Sequence, residues 1–356
     1  MLLTCLLVPG CGGGGAQTSN APFGPELVDG EYRYVILKEF EGDTEVSTGV
    51  VTPENGVLVP ADVWRVRGGE VSTPAPSFVF DYDVLPDRTF LMVGGEWSGR
   101  ITVDGMLATS ISSTEGAVNS MMILARHRET PLLSSLAGSW KAVRLGRSGI
   151  PQYSSSASVS DATIDANGTM NYANVTLNVD GQIDPLPQVL QPVQFVLLAN
   201  GMLAIQVAGA IAWRGGVSQD LNLILLAGNT SSGTPSLLAL VRKGTAVPAH
   251  LVGEYRTTSM RLLTVRPQAR WGWLTHPAPG TDATEQAFTL TDTGVSGPDE
   301  VTWGVGVLPD GELTLVLDAG PVNYIFRGAL ASSGAYGIVG GGISPTSTRL
   351  FTVLVR

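Results

Sequence analysis

The chain has 356 residues, with 21 Lys and Arg against 31 Asp and Glu and a formal net charge of −10. A hydrophobic share of 44% excludes wholesale disorder. The acidic balance excludes a nucleic-acid partner, which needs a basic footprint.

The chain opens Met1-Leu2-Leu3-Thr4-Cys5-Leu6-Leu7-Val8-Pro9-Gly10-Cys11. An apolar run this short does not span a bilayer, which takes about 20 residues. It reads as the end of a signal-peptide apolar region. Leu7-Val8-Pro9-Gly10-Cys11 resembles the lipobox of bacterial lipoproteins. The resemblance implies a signal peptide over 1–11 that ends at the lipobox cysteine, with cleavage before Cys11 and lipidation of that residue. A Gly-rich tether over 12–26 follows, and Gly12 rather than Asp after the cysteine implies passage to the outer membrane. The expected location is the bacterial cell envelope, with the membrane reached through the lipid on Cys11. Cys5 then leaves with the signal. The mature chain has no free thiol and no disulfide, so stability must come from packed cores.

Beyond the tether the chain repeats itself. Gly30-Glu31-Tyr32-Arg33, Gly138-Ser139-Trp140-Lys141 and Gly253-Glu254-Tyr255-Arg256 share a Gly-x-aromatic-cation pattern. A second anchor is Leu85-Pro86-Asp87, Leu198-Ala199-Asn200-Gly201 and Leu308-Pro309-Asp310-Gly311. A third is Trp97-Ser98-Gly99, Trp213-Arg214-Gly215 and Phe326-Arg327-Gly328. The units close on Ala125-Arg126, Val241-Arg242 and Val355-Arg356. The same order in all three sets the units at 27–128, 136–243 and 251–356. The Pro-containing connectors between them are too short to be floppy, so neighbouring units touch.

Within each unit the pattern is β. Segments such as Glu31–Lys38, Ser77–Val84 and Leu313–Leu317 are rich in β-branched and aromatic residues, several with period two. Asn55-Gly56, Asp104-Gly105, Asn167-Gly168, Asp180-Gly181, Asn200-Gly201 and Asp310-Gly311 suit type I′ hairpin turns. The fold expected is all-β, with three tandem antiparallel barrel-like units; barrel closure disposes of sheet edges. The alternative is a single six-bladed propeller, two blades per repeat. Gly138-Ser139-Trp140 with the late Arg242 resembles the signature of the lipocalin (calycin) barrels. There the Trp plugs one end and the Arg packs across it as a cation–π pair. By the same resemblance Tyr32 with Arg126, and Tyr255 with Arg356, are the structural signature of units one and three.

Few residues suggest chemistry. His127, His250 and His276 lie in or beside connectors or loops, at non-equivalent positions, and read as exposed loop histidines rather than metal ligands or triad members. Asp165, Asn167 and Asn171 have the spacing of a Ca²⁺ loop, but Asn174 stands where that loop needs Glu, so a capped hairpin turn is the simpler reading. Asp81 and Asp83 share a strand face without counterparts in the other units. No catalytic residues, metal site or cofactor are assigned, and the chain is read as not an enzyme. Trp271 and Trp273, two apart and unique to unit three, are the best candidates for an exposed binding patch. The function expected is a lipid-anchored structural or interaction module. The alternatives are a binding protein with a small apolar or carbohydrate ligand in a barrel mouth, and an envelope hydrolase.

Overall fold

A computed structural model describes residues 30–356 except 41–42, 76–78, 93–96, 115–117, 130, 148–154, 180–181, 184–190, 231–232, 245, 262–267, 292–293, 319–322 and 342–350. Cys11, the tether and Asp180-Gly181 lie outside the described residues. The chain forms three closed eight-stranded antiparallel barrels in succession, which excludes the propeller.

The first barrel contains β1 (Tyr32–Phe40), β2 (Asp43–Glu54), β3 (Val57–Arg67), β5 (Phe80–Val84), β6 (Thr89–Met92), β7 (Trp97–Ile101), β8 (Leu107–Thr114) and β9 (Val118–Arg126), with the short β4 (Glu70–Ser72) as a flap on β3. The second contains β10 (Gly138–Arg147), β11 (Ser155–Ile164), β12 (Thr169–Val179), β14 (Val193–Leu197), β15 (Leu203–Val207), β16 (Ala210–Val217), β17 (Leu223–Asn229) and β18 (Pro235–Arg242), with β13 (Gln182–Ile183) as its flap on β12. The third runs through β19 (Gly253–Arg261), β20 (Gln268–His276), β21 (Ala283–Thr291), β22 (Gly294–Val307), β23 (Glu312–Asp318), β24 (Asn323–Leu330), β25 (Tyr336–Gly341) and β26 (Phe351–Val355). In each barrel the last strand pairs with the first: β9 with β1, β18 with β10 and β26 with β19. Closure spares each barrel a full open edge strand, although β3 meets β5, and β12 meets β14, through only two residue pairs each.

Each interior is packed with side chains. Tyr32, Tyr34, Phe90, Trp97 and Leu124 fill the first barrel. Trp140, Phe195, Trp213 and Leu240 fill the second. Tyr255, Trp303, Phe326 and Leu354 fill the third. A fourth core lies between the barrels. Val35, Leu37 and Ile123 of the first meet Val143, Leu145 and Leu225 of the second and Ile338, Phe351 and Val353 of the third. Strands that face both cores lose the apolar–polar alternation, as in the run Leu237-Leu238-Ala239-Leu240-Val241 of β18. Burial of each such Leu or Val contributes about 1.5–3 kcal/mol, so the barrels are welded into one body.

The turns correct one expectation. Asn55 (φ 52°) and Gly56 (φ 80°) both take positive φ, as type I′ requires. At Asp104-Gly105, Asn167-Gly168, Asn200-Gly201 and Asp310-Gly311 only the glycine does. There the glycine N–H bonds back three residues, as Gly201 does to the Leu198 carbonyl and Gly311 to that of Leu308. This is a type I turn followed by a left-handed residue, the common three-residue hairpin loop. In the second anchor of the first barrel the left-handed position is held by Arg88, at φ 67°.

Candidate functional site

The repeated signature forms the closed end of each barrel. Trp140 pairs in register with Arg242, and Tyr32 with Arg126. The Arg242 guanidinium lies 4.5 Å from the centre of the Trp140 ring. Its three nitrogen sites donate to the carbonyls of Leu221 (2.9 Å), Ala137 (3.1 Å) and Ser135 (2.7 Å). Trp140 Nε1 donates to the Leu136 carbonyl at 2.9 Å, which ties the short 3₁₀ turn Leu133–Leu136 across the barrel end. Tyr32 Oη donates to the Gly105 carbonyl at 2.7 Å. Tyr255 Oη lies 2.8 and 2.7 Å from the carbonyls of His250 and Gly334. Gly30, Gly138 and Gly253 have φ of 134°, 140° and 129°. A Cβ on them would stand 3.4 Å from Arg126 Nε, 3.2 Å from Arg242 Nη1 and 3.3 Å from Arg356 Cζ. Backbone conformation and the approach of the arginine therefore both call for glycine.

The next residue of the signature, the cation, points out of its barrel into the neighbour. Arg33, Lys141 and Arg256 are all buried. Arg33 of the first barrel runs over Gly216 of the second, where a Cβ would collide with its stem. Lys141 of the second reaches Glu312 of the third at 3.1 Å. Arg256 of the third lies beside Trp273, which is itself covered by Arg100 of the first, both guanidinium carbons being 4.8 Å from its ring. The three seams run head to tail and close a ring.

Equivalent seams differ in chemistry. At the first seam Arg33 Nη2 donates to His127 Nε2 at 3.4 Å. Burial, helped by the Arg33 charge, lowers the His127 pKa to about 4. His127 is buried and bridged to Ser218 of the second barrel, and His276 is buried at the end of β20. This corrects the expectation of exposed loop histidines: His127 directly follows β9 and His276 ends β20, both covered by adjoining structure, while His250 is half-buried in the short 3₁₀ turn Pro248–Leu251. At the second seam Lys141 and Lys243 meet three carboxylates. Lys141 lies 3.1 Å from Asp161, and Lys243 lies 2.6 Å from Asp310 and 3.3 Å from Asp161. Asp161 is held below the usual carboxylate range despite its burial, by hydrogen bonds from Asn174 and Lys141 and by both lysine charges.

The third seam contains the candidate site. A cleft of about 640 Å³ opens between the Pro86–Arg88 turn of the first barrel and the outer face of β19–β21, where Trp273, Thr275 and Gln286 stand. Arg100 lines it, 5% exposed; among the described residues its Nε is unpartnered and it has one ion pair, Nη1 to Glu254 Oε1 at 3.5 Å. Behind Trp273, Arg256 is 4% exposed and its Nε has no hydrogen-bond partner among the described residues. Burial, with the Arg100 charge adding to it, brings the Arg256 pKa down to about 9.

Trp271 and Trp273 stand on the outer face of β20 and are half-buried. Trp271 is stacked on Phe288 (4.2 Å between ring centres) and covered by Arg256 at 3.7 Å. Trp273 alone of the two lines the cleft. Sequence reasoning missed Arg88, Arg100 and Arg256 as members of one group. The departures of Arg88 and Arg100 from the small residues of the sister units were the available signal. Asp165 Oδ1 accepts the N–H groups of Asn167 and Thr169 at 2.9 and 2.8 Å, the geometry of a capped turn. Asp81 and Asp83 face solvent on β5.

No family model matches the chain, and no curated protein matches it. Among solved structures it is similar to a mutant of the vaccine antigen transferrin binding protein B from Haemophilus parasuis Hp5, at 8% identity and a TM-score of 0.28 over 93% of this chain and 76% of that one. It is also similar to the isotype 1 transferrin binding protein B from serogroup B Neisseria meningitidis, at 10% identity and a TM-score of 0.28 over 93% and 75%. CghA with Sch210972 follows at 8% and 0.16. Likeness at this level says nothing of the chain's ligands or role.

Proposed function

We propose that the chain is a lipid-anchored protein of the bacterial cell envelope, tethered through Cys11, that acts as a rigid, non-catalytic interaction module with a protein partner. The observation that carries this reading is the filling of all three barrel interiors, by residues such as Phe90 and Trp97, Phe195 and Trp213, and Trp303 and Phe326. A barrel that holds a ligand in its mouth keeps a cavity of about 300 Å³ or more. Packed interiors speak instead for barrels that serve as a scaffold. Among the described residues no helix is long and apolar enough to cross a membrane. A lipid on Cys11 would supply the attachment, since two or more acyl chains give stable anchoring.

Two measurements test it. Mature chain purified from its native envelope is weighed intact under non-denaturing conditions. The mass of the acylated polypeptide, alone or with a second polypeptide, is expected; a stoichiometric small molecule inside a barrel overturns the scaffold role. Cys11→Ser is expected to release the protein from the membrane fraction and block processing. Unchanged fractionation and processing overturn the anchor.

A further inference from the structure

The cation-bearing seams can be compared position by position. At the second seam Asp161 is the cross-strand neighbour of Lys141, and Glu312 comes from the second anchor of the third barrel. At the third seam Trp273 takes the place of Asp161 opposite Arg256. Thr89 takes the place of Glu312, each falling two residues after the anchor Asp, Asp87 or Asp310. Both anions of the sister seam are thus missing, while the cation is kept. Two more cations are added. Arg100 stands where the other units have Gly216 and Ala329, one residue past the anchor glycine. Arg88 stands where they have Gly201 and Gly311, and keeps the left-handed φ of 67° that those glycines adopt. A non-glycine residue held there is strained by about 1 kcal/mol or more, and such strain persists where the surroundings enforce it, often at ligand clamps.

The acidic groups nearby do not restore the balance. Asp87 keeps its charge but is turned to the Thr89 N–H (3.0 Å) and hydroxyl (2.9 Å), and forms no ion pair with the arginines among the described residues. The Glu254 side chain is 55% exposed and 3.5 Å from Arg100. Among the described residues Arg100, 5% exposed, thus has one loose ion pair and Arg256, 4% exposed, has none, although a buried charge without a partner is costly. The cleft opens beside both positions: Trp273 lines it, and so does Arg88, the neighbour of Thr89.

We propose that the cleft between the third and first barrels binds a small oxyanion, a carboxylate- or phosphate-bearing molecule that takes the place of the carboxylates seen at the second seam. Arg100 and Arg88 grip the anion, as guanidinium groups pair with planar or tetrahedral oxyanions by forked hydrogen bonds. Arg256 supports the field from behind Trp273. Thr275, Thr284 and Gln286 offer hydrogen bonds to the remainder of the ligand, and Trp273 supplies an apolar wall. The site lies between barrels, outside their packed interiors, and does not depend on the lipid anchor.

The test titrates the whole mature chain with inorganic phosphate, with D-glucuronate and with uncharged D-glucose at constant ionic strength. Tryptophan fluorescence and thermal unfolding are followed together. A saturable fluorescence change with a Tm rise of about 2 °C or more is expected for one or both anions and not for glucose. Response to one anion alone identifies which oxyanion the site takes.

Two variants keep the outcome interpretable. Thr89→Glu puts a carboxylate opposite Arg100, its cross-strand partner. It is expected to raise the ligand-free Tm and abolish the response. Arg88→Gly relieves the left-handed strain, so the fold is retained, and affinity is expected to fall about tenfold. No saturable response to either anion, an equal response to glucose, or a wild-type response from Thr89→Glu overturns the proposal.

Discussion

Arg242 closes the second barrel over Trp140: its guanidinium is 4.5 Å from the ring centre, and the two residues are paired in register across β10 and β18. The pairing puts the last side chain of the barrel over the first aromatic of the same barrel. Three carbonyls from two separate segments are satisfied by the same group.

Replacing Arg242 by Ala removes these bonds and leaves the Ser135 and Ala137 carbonyls without their donor. The expected loss is about 2–4 kcal/mol, read by urea unfolding. Arg242→Lys is expected to recover less than half of it, because an ammonium cannot reach three divergent carbonyls while lying over a ring.

Gly215 tests the third anchor. A Cβ there would overlap the backbone carbonyl oxygen of Leu225 on the neighbouring strand, as it would at Gly99 with Thr109 and at Gly328 with Ile338. Backbone in a paired strand cannot step aside. Gly215→Ala is expected to cost about 3 kcal/mol or more, whereas Gly209→Ala, with nothing within 4 Å, costs only the strain of its positive φ, about 1 kcal/mol. Paired denaturation curves separate the two.

His127 makes stability depend on pH. Its folded pKa of about 4 lies below its ordinary value of 6.5, so the unfolded chain takes up the proton first as pH falls. Stability is full above about pH 6.5 and is lost as pH drops toward 4, by about 3 kcal/mol in all. His127→Gln is expected to flatten that part of the profile. Urea midpoints at pH 7.5, 5.5 and 4.5 for both proteins read the difference; parallel profiles would refute the assignment to His127.

The repeats and the β class are legible because they answer local requirements. Gly30, Gly138 and Gly253 must be glycine for their φ, and Arg126, Arg242 and Arg356 must reach the ends of their own barrels. Such constraints recur at fixed spacing in the sequence. The turn type at Asn200-Gly201 was misread because Asn-Gly suits two hairpin geometries, and loop length decides between them.

The seams are another matter. Lys141 and Glu312 are 171 residues apart, and nothing local to either says that they meet. His127 looks like a connector residue until Ser218 of the next barrel is laid beside it. Trp273 stood out by being unpaired in the repeat pattern. Arg88 and Arg100, by contrast, acquire their meaning only when the third barrel is brought against the first.

That last contact turns a row of units into a circle. A row of three has two junctions and can fray from either end. A circle has three junctions and no end, so freeing any one barrel means breaking two seams and opening its share of the common core. The chain is therefore built to come apart as a whole, in one cooperative transition rather than unit by unit.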